Sequence, residues 1–181
     1  MHSQQILLGA INVVGGIAVL GSYGYGIWAK PATRGDLWGG VPEGLKPLYV
    51  VSMLLAALGY LAFTYYILFR LEPDHVQIAD RFGFVVFPVI YGIILAFSAL
   101  WMPLTVAMLE HPGTGLWVAI RLTLAAVGLA SLGLLLALLA LNRGVLEPWG
   151  PYYWLAVAGS AAFCLQTTVL DMLVWPAFFR T

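Results

Sequence analysis

Long apolar runs separated by short polar connectors set the pattern of this chain. Charge-free intervals cover residues 3–29, 47–69, 82–109, 122–142 and 148–170, each long enough for the roughly 20 residues that cross a bilayer as a helix. In hydrocarbon only helices and closed barrels satisfy every backbone group, and these Leu/Ala-rich runs lack the two-residue alternation of a barrel strand. The pattern predicts an all-α integral membrane protein, multi-pass, in which residues 1–181 form a single bundle of five transmembrane helices. The expected spans are 5–28, 47–69, 83–108, 117–141 and 150–174.

Three connectors, "RLEPDHVQIADR", "LEHPGTG" and "NRGVLEPWGP", are short and carry helix-ending prolines and polar turn residues. The first connector, 29–46, is longer and gathers Lys30, Arg34, Asp36, Glu43 and Lys46 around Trp38, between Trp28 and Tyr49. With five spans the termini fall on opposite sides. The side of the first connector holds Lys30, Arg34, Lys46, Arg121 and Arg180 against Arg70, Arg81 and Arg143 on the other, so the positive-inside bias expects a cytoplasmic first connector. The N-terminus lacks a basic region before its apolar stretch, and that stretch is longer than a signal-peptide core, so it is expected to be retained.

Composition agrees with the pattern. Hydrophobic residues make up 62% of the chain and charged residues 9%, and the mean hydropathy is +0.93. Eight basic residues balance eight acidic ones, which leaves no basic stripe for a phosphate backbone and argues against nucleic acid as a partner. The lone Cys164 excludes an intrachain disulfide and a cysteine-based metal site. His2, His75 and His111 stand near span boundaries, and none is spaced with a second ligand inside a span, so neither haem nor a catalytic metal is expected. No serine has an adjacent base to activate it, and the chain offers no catalytic nucleophile.

Polar and aromatic residues inside the apolar runs carry the remaining information. Asp171 lies in "QTTVLDMLVWPAFFR" close to Trp175 and Arg180. An interfacial position for Asp171 is the first reading and a ligand contact the second, because an ionised carboxylate at mid-bilayer costs about 2.5–3.5 kcal/mol on insertion scales. Gln166 stands five residues earlier, on a somewhat different face of an α-helix, and its amide needs a partner in the bundle. An interfacial belt accounts for Trp28, Trp38, Tyr49, Trp117, Trp149, Trp154 and Trp175. Trp101 lies deeper, two residues before Pro103, which removes a helix hydrogen bond. The pairs Gly92/Ala96, Ala126/Ala130, Gly133/Ala137 and Ala158/Ala162 have the spacing at which helix backbones approach closely.

Several of these residues fall into motifs that resemble the TspO/translocator-protein (peripheral benzodiazepine receptor) family. The first connector begins "IWAKPA", with Lys30 and Pro31 at the family's Lys-Pro. The third run reads "LAFSALWMPL", in which Leu95, Trp101, Pro103 and Leu104 match, and Ser98 stands where the family has Asn. The fifth, "PYYWLAVAGSAAFCLQTTVL", matches at Ala162 and Leu165 with Gln166 for Asn. The resemblance implies a cavity between the helices that binds a flat or fused-ring apolar molecule of the porphyrin or sterol class. It also implies that the 29–46 connector closes this cavity as a lid and offers its cations to a ligand carboxylate. The implied ligand contacts are Trp28, Trp38, Tyr49, Trp101, Trp154 and Gln166, with a homodimer formed through Gly92 and Ala96 on the third helix. The alternative is an accessory subunit of a larger membrane complex, holding lipid or neighbouring subunits through an elongated first connector.

Overall fold

The structure is a computed structural model that describes residues 2–29, 31, 35–142 and 150–179. Lys30, Arg34, Arg143, Trp149 and Arg180, named above, lie outside the described residues. The chain is all-helical, and five helices are long and apolar enough to cross a membrane. Helix α1 spans Ser3–Gly24 and runs on through a wider π-helical turn, Tyr25–Ala29. Helices α2, α3 and α4 span Lys46–Phe69, Val86–Glu110 and Thr114–Leu139. The fifth rod has three parts: α5 over Pro151–Cys164, a π-helical segment over Leu165–Val174, and the short α6 over Trp175–Phe178.

Local chemistry explains where the rods begin and end. Pro47 and Pro151 occupy the first turns of α2 and α5, where a missing N–H costs nothing and the fixed φ favours a helix. The last carbonyls of α2 have no partner within their own helix. Gln5 of α1 supplies one, its buried amide donating to the Leu68 and Leu71 carbonyls at 3.0 and 3.2 Å. Helix α3 starts at Val86 because the residues before it fold back: Ile78 and Phe82 exchange backbone hydrogen bonds of 2.8 and 3.1 Å, closing a tight turn in which Ala79 and Asp80 take positive φ.

The rods form a ring in the order α1, α3, α4, α5, α2. Neighbours pack extensively except at one seam, where α1 and α2 barely touch. Across that seam the Tyr60 hydroxyl donates to Asn12 Oδ1 at 2.6 Å. Two apolar clusters fill the two ends of the ring. One is built around Phe63, Phe84, Phe87 and Tyr91, the other around Tyr49, Ile120, Trp175 and Phe179.

At the α2/α5 contact the two backbones approach closely. A Cβ added at Gly59 would lie 2.9 Å from the Gly159 Cα, and one added at Gly159 would lie 2.7 Å from the Gly59 Cα. Backbone offers no flexible side chain that could yield, so only glycine fits at either position. Gly59→Val should therefore destabilise the protein by about 1–3 kcal/mol, the usual range for overpacking. Thermal unfolding in detergent checks this, with Gly9→Ala as control: a Cβ at Gly9 meets nothing within 4 Å, and that variant should unfold no earlier than the parent.

Candidate ligand cavity

Because α1 stands off from α2, a cleft of about 590 Å³ remains between them, backed by α3, α4 and the fifth rod. Its wall is mainly apolar, with Val19, Ala56, Ile94, Leu95, Val127 and Phe163 among the lining residues. Leu20 and Leu61 line it too while remaining 75% and 65% exposed, so they mark a mouth on the flank between α1 and α2. Volume and character fit the range of about 300–1,000 Å³ found for small-molecule sites, which are mostly apolar with few polar groups.

Two of its polar groups are paired with each other. Gln166 and Asp171 both line the cleft, and Gln166 Nε2 donates to Asp171 Oδ1 at 2.8 Å. In an α-helix, residues five apart point about 140° away from each other. The π-helical segment closes its turns one residue later and brings them onto one face. The sequence expectation that Gln166 and Asp171 face apart is corrected here, and its cause is the assumed helix period. Asp171, for which an interfacial position was the first reading and a ligand contact the second, lines the cleft.

Hydroxyl groups hold the π-helical segment against α4. Thr168 Oγ1 donates to the Gly128 carbonyl at 2.8 Å, and Ser131 Oγ lies 2.6 Å from Thr167 Oγ1. Gly128 admits this approach because a side chain there would meet Met172 Sδ at 2.9 Å. On the other flank the Tyr49 hydroxyl donates to the Leu170 carbonyl at 3.2 Å.

Two buried polar atoms of the cleft residues, Trp101 Nε1 and Gln166 Oε1, have no hydrogen-bond partner among the described residues. Leaving such a group unpaired costs about 1–3 kcal/mol.

Trp101 and Gln166 are the two predicted contacts that the structure brings together in the cleft wall. Trp38 and Tyr49 do not line it. They meet edge to face with ring centres 6.2 Å apart, and Tyr49 braces the π-helical segment from behind. Trp28 and Trp154 stand outside it, 78% and 52% exposed. No described residue of the 29–46 connector lines the cleft. The connector sits instead on the end of the fifth rod, where Gly40 N–H donates to the Phe178 carbonyl at 2.8 Å and Trp175 Nε1 to the Leu37 carbonyl at 3.3 Å. Gly92 and Ala96 lie on the outer side of α3, and a Cβ at Gly92 would meet nothing within 4 Å.

Tyr23, Asn12 and Tyr60 complete the cleft and were not anticipated. Asn12 is the only asparagine in the first apolar run, and a buried amide in such a run needs a partner. Trp175 also departs from the belt position expected of it. It is 5% exposed, and its ring packs against Trp101, Trp117 and Phe179. Comparison with protein-family models, characterised proteins and solved structures gives no match for this chain.

The two tryptophans at opposite extremes of exposure give a direct test of this packing. Trp175→Leu should cost on the order of 2–4 kcal/mol, near the lower part of the range for truncating buried aromatics. Trp28→Leu should stay within about 0.5 kcal/mol of the parent, as substitutions of exposed residues usually do. Denaturation midpoints of the two variants, measured side by side in one detergent, check the contrast.

Proposed function

We propose that this chain is a multi-pass membrane protein that binds an apolar ring molecule, of the porphyrin or sterol class, in the cleft between α1 and α2, as the TspO-like residues imply. The observation that carries the reading is the cleft itself: an apolar space of about 590 Å³ lined by Trp101, Gln166 and Asp171 among mainly apolar side chains. Rigid rings suit such a wall because they bury much apolar area with few rotatable bonds, and aromatic side chains stack on them. Membrane placement is supported by the outer face of α1, where Val13, Val14, Ile17 and Leu20 are all more than 60% exposed. Acyl chains would cover that face, and a ligand would enter sideways from them between Leu20 and Leu61.

Gly16 supplies a clean test. It lines the cleft, and a Cβ there meets nothing within 4 Å, so Gly16→Phe should fill the ligand space without displacing protein atoms. Binding of a fluorescent sterol and of protoporphyrin, measured in nanodiscs through tryptophan fluorescence, should weaken at least ten-fold, about 1.4 kcal/mol. Gly9→Phe, outside the cleft, should bind like the parent. If the parent binds neither probe better than an empty nanodisc, the accessory-subunit reading replaces this one. The proposed homodimer is tested separately: Gly92→Leu with Ala96→Leu should shift the detergent-solubilised protein toward monomer, since the small-residue groove for close helix approach would be gone.

A further inference from the structure

The polar end of the cleft has a definite charge character, which narrows the ligand further. Among the described residues its only carboxylic acid is Asp171, and none of its described lining residues is Lys, Arg or His. Arg121 reaches the neighbouring backbone, donating to the Met172 carbonyl at 3.3 Å. Among the described residues no basic group forms an ion pair with Asp171, and the hydrogen bond it receives comes from Gln166 Nε2. Gln166 thereby spends a donor on the carboxylate and leaves its own oxygen, buried with the residue at 4% exposure, without a donor. Two acceptors, Asp171 and Gln166 Oε1, thus stand together. Beside them Tyr23 and Trp101 face the same space with ring centres 5.9 Å apart.

Resting on the cleft as a ring-ligand site, we propose that its inner end is a subsite for an N–H-bearing cationic nitrogen, so that of two rings of matched size the one bearing an amine at this end binds more tightly than the one bearing an acid there. An ammonium or protonated ring nitrogen would donate a hydrogen bond to the Asp171 carboxylate, which Gln166 Nε2 holds from its other side. Whether the proton rides on the nitrogen or on the carboxyl, the same N···O contact forms. The faces of Tyr23 and Trp101 add cation–π attraction, which grows where water is excluded. A ligand carboxylate at this end would instead meet a like charge in an apolar surround, with no cation to offset it.

Three rings of matched size and different charge test the subsite: 9-aminoacridine as cation, anthracene as neutral ring, and anthracene-9-carboxylate as anion. Full-length protein in zwitterionic nanodiscs is titrated with each, read by tryptophan-to-probe energy transfer with empty nanodiscs subtracted. The cation should bind about ten-fold or more tighter than the neutral ring, a difference of about 1.4 kcal/mol, and the anion weakest. In Asp171→Asn the cation should lose that advantage while anthracene binds as before, which also shows that the variant is folded. Asp74→Asn, at an exposed connector acid, should keep the parent's order. Equal affinity for the three rings, tighter binding of the anion, or an unchanged order in Asp171→Asn overturns the amine subsite and leaves the ring cleft standing. Failure of all three rings to bind overturns the cleft reading and the subsite with it.

Discussion

The register of the π-helical segment Leu165–Val174 is the constraint on which the site depends. Were the segment α-helical, Gln166 and Asp171 could not share a face, and the amide–carboxylate pair would not form. A π-helical turn is a poorer solution for a backbone than an α-helical one and is rarely extended. Here it is held from both sides: Thr168 donates to the Gly128 carbonyl of α4, the α4 residue Ser131 pairs with Thr167, and Tyr49 ties the Leu170 carbonyl to α2. Those bonds carry weight because an apolar surround leaves backbone groups no water to turn to.

The same economy of polar groups shapes the cleft. A ring of five rods closes fully only if every neighbouring pair packs, and α1 lacks such contact with α2. Asn12 bridges the gap by donating to the Leu8 carbonyl and accepting from Tyr60, so neither its amide nor the tyrosine hydroxyl is left open at the seam. The gap is therefore latched at one point and free below it, where Gly16, Leu20, Met53 and Ala57 leave room. On the other flank of α2 the Gly59/Gly159 contact draws it hard against α5. Pulling α2 toward α5 is compatible with holding it away from α1.

The five rods and their approximate ends could be read from charge-free intervals because hydrocarbon length is a strong filter on composition. Trp101 and Gln166 were legible for a related reason: each is too deep in an apolar run for an interfacial belt to explain it. Periodicity misled where the helix departed from its usual period. Counting on a 3.6-residue turn separated Gln166 from Asp171, and proximity to the end of the run suggested a belt position for Trp175, which is buried against Trp101, Trp117 and Phe179. Nothing in a single sequence announces a π-helical register, although the cluster Gln166, Thr167, Thr168 and Asp171 is a conspicuous density of polar groups in such a run. Asn12, Tyr23 and Tyr60 escaped because their role arises from the seam between two rods, which is a property of packing and not of either run.

Polarity also bears on how the first connector relates to the cleft. The sequence offered its cations as partners for an acidic ligand. Of these, Lys46 is the one among the described residues, and it is engaged elsewhere: Nζ lies 2.6 Å from Glu43 Oε1 and 5.8 Å from the centre of the Trp38 ring. The connector's weight falls on Phe178, Trp175 and Tyr49, and through Tyr49 on the Leu170 carbonyl beside Asp171. A change in how the connector seats would reach the cleft by moving the backbone that carries the carboxylate, with no connector side chain entering the site. The described part of this connector thus braces the end of the fifth rod, and the acidic group among the described cleft residues is Asp171.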